Sequence, residues 1–219
     1  LILGENAQGK TNLLEAVGYL STGRSFRTQK TQELIRFGAS FADLNADVFS
    51  QGRDQNIRAV LFSGRRPRQL YLGGVKQKSA AALPGVLTTV LFCPDDLNLI
   101  KDGAAVRRRL LDNAISQIRP RYAEYLSEFN RLYEHKTRIL KDWRDKPSLL
   151  ETLDEFSDGM CRASAQLIRY RAAFSARLDQ AAAPIHRDFS NSLEELEIKY
   201  KTVSTVKDPF ASAREIYYD

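Results

Sequence analysis

The stretch Gly4-Glu5-Asn6-Ala7-Gln8-Gly9-Lys10-Thr11 decides how the rest of the chain is read. It fits G-x-x-x-x-G-K-[ST], the spacing of a phosphate-binding loop set between a strand and a helix. Each position has a mechanical reason. Gly4 and Gly9 accept backbone angles that a Cβ would forbid, so the loop can curl around an anion. Successive backbone N–H groups then point inward as a nest, which the positive end of the following helix completes. Lys10 would reach the β- and γ-phosphates of a nucleotide, and the Thr11 hydroxyl would ligate Mg²⁺. The pattern is short, so its context matters. Leu1-Ile2-Leu3 reads as the end of a buried apolar strand. Thr11 to Val17 reads as a helix that packs one face through Leu13, Leu14 and Val17. An ordinary Gly-containing turn is the plainer alternative, and the strand–loop–helix order argues against it.

Working outward, the bulk properties of the 219 residues are those of a globular chain long enough to bury a core: 43% hydrophobic and 27% charged residues. No apolar run approaches the length that spans a bilayer, and no secretory signal is visible. The chain opens inside a strand without a Met, so the expectation is that its natural N-terminus lies upstream. Cys93 and Cys161 stand far apart, without partners at metal-ligand spacing. That pattern fits a reducing cytoplasm better than a disulfide framework or a zinc site. His135 and His186 read as surface helix residues. The net charge of +6 is uneven, with 24 Lys/Arg against 15 Asp/Glu up to residue 150 and 9 against 12 beyond it. A basic front and a mildly acidic back suit a protein that meets nucleic acid with one surface, though a plain solvated surface is as compatible with composition alone.

Past the first helix, Ser21 to Thr28 is a polar loop carrying Arg24 and Arg27. From Phe41 the period becomes two. Ala42, Leu44, Ala46 and Val48 alternate with Asp43, Asn45 and Asp47; Ile57, Ala59 and Leu61 continue after a turn at Gln51–Asp54. Gln69 to Leu72 follows a second turn that holds Arg65, Arg66 and Arg68. Three short strands with tight turns predict an antiparallel meander. Leu87 to Phe92 predicts a further strand, ended by Pro94, with Asp95 and Asp96 as turn or capping residues. Beyond Gly103 the period is helical. Val106, Leu110, Ala114 and Ile118 form a stripe widened by Leu111 and Ile115, and only part of Arg107-Arg108-Arg109 can share a face. Pro120 opens a second helix with Tyr122, Leu126, Phe129, Leu132/Tyr133 and Ile139/Leu140 inward. Lys146-Pro147 breaks it, and Ser148 with Glu151 predicts a capping box for a long third helix that Pro184 interrupts or kinks. The two long helices should pack antiparallel. Leu196, Ile198 and Tyr200 predict a return to strand, and the last residues another helix.

Several separated stretches resemble one family. Gly4 to Ala16 is similar to the opening of the RecF family of bacterial DNA replication and repair ATPases. Gly23-Arg24-Ser25-Phe26-Arg27-Thr28 resembles its G-R-S-[HF]-R motif. Phe92 to Leu97, Ile100 to Gly103 and Arg107 to Asp112 resemble its F-x-P-[ED]-D-L…[VI]-K-G…R-R-x-[FL]-L-D block, followed by Arg119-Pro120-Arg121-Tyr122. Phe26 and Asp102 are tolerable variations. The resemblance is carried by clear motifs to about Tyr125 and by pattern and order thereafter. It implies an α/β fold: a P-loop NTPase lobe of the ABC/SMC-like head type with an antiparallel β-meander, plus a helical second lobe. The expected division is 1–103 as the partial ATP-binding lobe, 104–192 as the helical lobe and 193–219 as the start of a return segment. The resemblance further implies ATP and Mg²⁺ as cofactors, bound through Gly4, Glu5, Asn6, Ala7, Gln8, Gly9, Lys10 and Thr11, with Thr11 on the metal. It implies an ATP-dependent homodimer, double-stranded and gapped DNA and the RecO and RecR proteins as partners, and help in loading RecA. A cytoplasmic, nucleoid-associated setting within the SOS response goes with this, and no membrane partner.

No L-S-x-G-Q signature, acidic Walker B strand end or later switch His occurs. In this family they lie further along, so the expectation is a chain truncated at both ends and inactive alone, with no catalytic residue of its own. For DNA contact the candidates are Arg24, Arg27, Arg65, Arg66 and Arg68. Two other readings remain open at this level: another SMC-like DNA-associated ATPase head, which predicts a long coiled-coil insertion, and a non-catalytic DNA-binding scaffold module.

Overall fold

The computed structural model describes residues 1–203 and residue 209. The helix expected near the C-terminus falls outside them. Helix α1 spans Lys10–Thr22. A four-stranded antiparallel sheet follows in the order β1-β2-β3-β4, made of β1 (Phe41–Ser50), β2 (Arg53–Phe62), β3 (Gln69–Leu72) and β4 (Val75–Gln77). Then come the short α2 (Asn98–Lys101), α3 (Ala104–Ile118), α4 (Pro120–Asp142) and α5 (Leu153–Phe189). By contact the chain divides into two units. One is Leu1–Arg107 with Ser116–Pro120; the other is Arg108–Ile115 with the chain from Arg121 onward.

In the first unit the sheet follows the alternation in its sequence. Leu44 pairs with Ala59 and Ala46 with Ile57, so one face of β1 and β2 joins Tyr19, Leu20, Ile35, Leu61, Leu70 and Leu83 in one core. A sheet half-buried in this way needs this periodicity. Gln51 and Gly52 form the two-residue turn between β1 and β2, both with positive φ (54° and 75°). The meander has one strand more than its sequence announced. Gly73 and Gly74 form a second tight turn, and the three residues of β4 are too few to show a period.

Two expected strands are absent. Leu1-Ile2-Leu3 and Leu87 to Phe92 carry no strand pairing, and Leu1, Leu3, Val90 and Phe92 are among the most exposed apolar residues. Their sequences suit a strand, but a strand is completed by a neighbour, and none of the four described strands lies beside them. The same holds for α1. Leu13, Leu14 and Val17 face outward, and the buried side is Glu15, Tyr19, Leu20 and Ser21. Leu196 to Tyr200 also forms no strand; the Ile198 N–H is taken by the Asp179 carboxylate at 2.6 Å.

In the second unit α4 and α5 run antiparallel. Tyr122 meets Tyr170 edge-on, Leu132 lies over Gly159, and His135 stacks on Phe156. Small residues on α5 (Gly159, Ala163, Ala165, Ala172, Ser175) are buried and let the helices approach. On α3 the buried stripe is Leu111 and Ile115, whereas Leu110 and Ile118 are exposed. The capping box at Ser148 and Glu151 does not form: Pro147–Thr152 is a 3-10 segment, and α5 starts after it with no side-chain cap. Pro184 sits inside α5, which continues through it to Phe189.

Candidate functional site

The loop from Gly4 to Gly9 is exposed and leads directly into the N-terminus of α1. Ala7 (φ 65°) and Gly9 (φ 86°) both take left-handed angles, as a loop that curls around an anion needs. Gly9 is the N-cap of α1, and its carbonyl accepts from the Leu13 N–H at 3.0 Å. No side chain caps this helix, so its first N–H groups and its positive end stay available to an anion. The Lys10 ammonium folds back and donates to the carbonyls of Gly4 and Glu5, each at 2.5 Å. One positive charge thus already lies over the cradle, and no side chain intrudes where Gly9 would carry a Cβ. The donor set of backbone N–H groups, Lys10 and the Thr11 hydroxyl fits a polyphosphate with a divalent ion.

Behind the loop, the segment Gly23 to Thr28 is tied to α1 by contacts that the sequence did not reveal. Glu15, buried on α1, accepts from the Ser25 hydroxyl with one oxygen and from Arg27 with the other at 3.2 Å. Arg27 also donates to Asn12 at 3.2 Å. Ser25 Oγ accepts the N–H groups of Arg27 and Thr28 at 2.9 and 3.1 Å. The polar motif therefore folds onto the first turns of the helix that starts at Lys10. Gly23 ends α1 with φ 70°, and a Cβ on it would lie 2.7 Å from the Ala80 Cβ, so this position requires glycine.

The five candidate arginines divide. Arg68 donates to the Tyr19 hydroxyl at 2.8 Å and to the Gly23 carbonyl, which commits it to the fold. Arg27 is committed to Glu15 and Asn12, with about half of its side chain exposed. Arg66 lies over the Phe62 ring, 4.0 Å from its centre. Arg24 and Arg65 are exposed, and their side chains make no hydrogen bond or ion pair among the described residues. The Arg68 bridge places the loop holding Arg65 and Arg66 beside the end of α1, so residues forty apart in sequence share one edge of the first unit.

Elsewhere polar groups satisfy one another. On the outer face of the sheet Arg58 grips Asp43 through both carboxylate oxygens (2.9 and 2.6 Å). The hydrogen bond from Arg58 holds the Asp43 carboxyl below its usual range, against an opposing effect of burial and with some help from the Arg58 charge. In the second unit Asp112 Oδ1 accepts from Tyr122 (2.5 Å) and from Arg171 Nε and its terminal nitrogen (2.9 and 2.7 Å). Burial, then the bond to Asp112, pushes the Tyr122 phenol far above its ordinary value. No group of three or more His, Cys, Asp or Glu side chains suited to a metal occurs among the described residues.

A mixed α/β chain with this loop at the head of its first helix has the fold of the ABC/SMC-like P-loop head class. No family model matches it. The DNA replication and repair protein RecF of Bacillus velezensis is 36% identical over 210 residues, covering 95% of this chain and 56% of that protein. RecF of Bacillus cereus (strain B4264) is 36% identical over 222 residues, covering 100% and 59%. A solved structure of the recombination mediator protein RecF with ATP, of the RecFOR pathway, superposes with a TM-score of 0.83 at 31% identity over 97% of this chain and 57% of that one. Over nearly all of its length the chain is similar to RecF proteins in sequence and in fold. It spans a little over half the length of these relatives.

Proposed function

We propose that this chain supplies the nucleotide-binding part of a DNA replication and repair ATPase. Gly4 to Thr11 holds the phosphates of ATP, with Lys10 released from the Gly4 and Glu5 carbonyls to the β- and γ-phosphates and Thr11 on Mg²⁺. The observation that carries the reading is the uncapped start of α1, entered through a loop whose left-handed turns at Ala7 and Gly9 leave the N–H groups open. The bound ATP of the RecF structure at TM-score 0.83 supports it. Duplex DNA, including gapped duplex, is met by the edge that carries Arg24, Arg65 and Arg66. By analogy with the relatives, nucleotide controls self-association as a homodimer, and the assembly works with RecO and RecR in recombination mediation and RecA loading. Residues 1–103 form the nucleotide lobe, 104–192 the helical lobe, and 193–219 lead onward from it.

Calorimetric titration of the chain with Mg·ATP tests the first step, with Lys10→Ala as control. Heat of binding in the parent and none in the variant is the expected result. Equal binding by both would remove the loop from the site. No binding by the parent would mean that Gly4 to Thr11 does not hold nucleotide in this chain.

A further inference from the structure

At the same edge as the exposed arginines, one feature is unused by anything above. The Ala39 N–H donates to the Arg36 carbonyl at 2.9 Å, closing a tight turn over Arg36-Phe37-Gly38-Ala39. Gly38 at its third position has φ 80°, which makes this a type II turn. Phe37 occupies the tip and is fully exposed, at 105%. A wholly solvated phenyl ring on a tight turn is costly to leave in water and has no role in the core of its own unit. The turn runs into Ser40, whose carbonyl accepts the Ser63 N–H at 3.0 Å, and Phe41 pairs with Phe62. Phe37 is therefore held at the end of the sheet from which Ser63 to Arg68 leave, and Arg68 in turn reaches the carbonyl before Arg24. Arg36 precedes Phe37 in the chain, Arg65 and Arg66 lie on the loop that leaves β2 just beyond Phe62, and Arg24 follows the carbonyl that Arg68 reaches. Between residues 23 and 40 the one acidic side chain, Glu33, is already engaged by Thr28 and Lys30.

We infer that Phe37 is a base-stacking residue, which gives this edge a preference for DNA that presents an unpaired base beside a duplex. The argument rests on the proposed DNA binding of the arginine edge. Arginines on the phosphates supply affinity without sequence information, since every duplex offers the same charge. An aromatic face adds something different. A base inside a duplex is already stacked on both sides, whereas an unpaired base at a gap offers a free π-face to a ring. A turn closed by a backbone hydrogen bond suits this role because less backbone has to be ordered on binding. The charge of the surroundings selects nucleic acid over an apolar protein segment as the occupant.

The test compares the chain with Phe37→Ala and Phe37→Trp on two DNAs, a blunt duplex and the same duplex with one unpaired base replaced by 2-aminopurine. The parent should prefer the second DNA, and Phe37→Ala should lose roughly tenfold on it, as base–aromatic stacking allows, with little change on the blunt duplex. Phe37→Trp should retain the preference. The 2-aminopurine emission should be quenched by the parent and the Trp variant, and not by the Ala variant. The side chain is exposed, so folding is not at stake, and circular dichroism verifies that. An Ala variant equal to the parent on both DNAs overturns the inference. If Arg65→Gln with Arg66→Gln then still weakens both DNAs and flattens their salt dependence, the DNA-binding reading survives it. A parent that binds neither DNA at low salt overturns both.

Discussion

Arg65 and Arg68 lie three residues apart on one loop and have different tasks. Arg68 saturates the hydroxyl of the buried Tyr19 and the carbonyl of Gly23, so Arg68→Gln leaves two acceptors poorly paired. A loss of about 1–2 kcal/mol in urea unfolding is expected, against no more than about 0.5 kcal/mol for the exposed Arg65→Gln. Equal costs would show that Arg68 is not bound into the fold. Gly23→Ala is expected to be worse, at about 2–4 kcal/mol, because it combines a left-handed backbone with the contact to Ala80. Replacing Ala80 by Gly in the same chain should recover the steric share of that loss and leave the backbone share. The arginine cluster was legible in the sequence, but the division of labour within it was not. Which guanidinium folds inward depends on where Tyr19 and Gly23 end up, and that is a matter of tertiary placement. Likewise Glu15 looked like one more polar residue of a helix, yet it is the anchor for Ser25 and Arg27.

At the level of elements, local pattern was informative wherever the partner lay nearby in sequence. The period-two run of β1 and β2 is satisfied by hairpin pairing, and α4 and α5 turn the right faces toward each other. It misled at Leu1–Leu3 and Leu87–Phe92, where β-propensity is present without a neighbouring strand, and propensity alone does not hold a strand. Pro184 is the converse case. Its ring cannot donate to the helix ladder and crowds the preceding turn, yet α5 carries on for five residues to Phe189. The last buried residue of the helix is Ser175, so this end carries a local penalty of about 3 kcal/mol with little packing of its own. Pro184→Ala should therefore stabilise the second unit by about 1–3 kcal/mol in urea unfolding followed by the helical circular dichroism signal. No gain would mean that the ladder around residue 180 is already open for another reason.

For the molecule as a whole, the Asp112–Tyr122–Arg171 cluster ties α3, α4 and α5 together in the second unit, at side chains about one-sixth exposed for Asp112 and Arg171. Asp112→Ala strands the Arg171 charge, and a loss of about 3 kcal/mol is expected; Asp112→Ala with Arg171→Met should cost less than Asp112→Ala alone. The same cluster sets an alkaline limit. The Tyr122 phenol is raised in the folded chain, so the unfolded chain releases its proton first. Its contribution is thus fully present below the ordinary phenol value of about 10 and falls away as pH rises beyond it toward the folded value. Stability measured across that range should decline, and Tyr122→Phe should make the decline shallower. An unchanged slope would mean that Tyr122 ionises as freely folded as unfolded.

Helix α3 has its first residues and its last in one unit and the eight from Arg108 to Ile115 in the other. At its far end the Gln117 carboxamide accepts the Thr89 N–H at 2.7 Å, and the Gly85 backbone passes against Gln117 and Pro120. Gene shuffling works by splicing at a seam, and here there is none to find. A crossover anywhere from Ala104 to Pro120 would cut a helix whose residues serve both units, so a chimera joined inside α3 should be less stable than the parent chain.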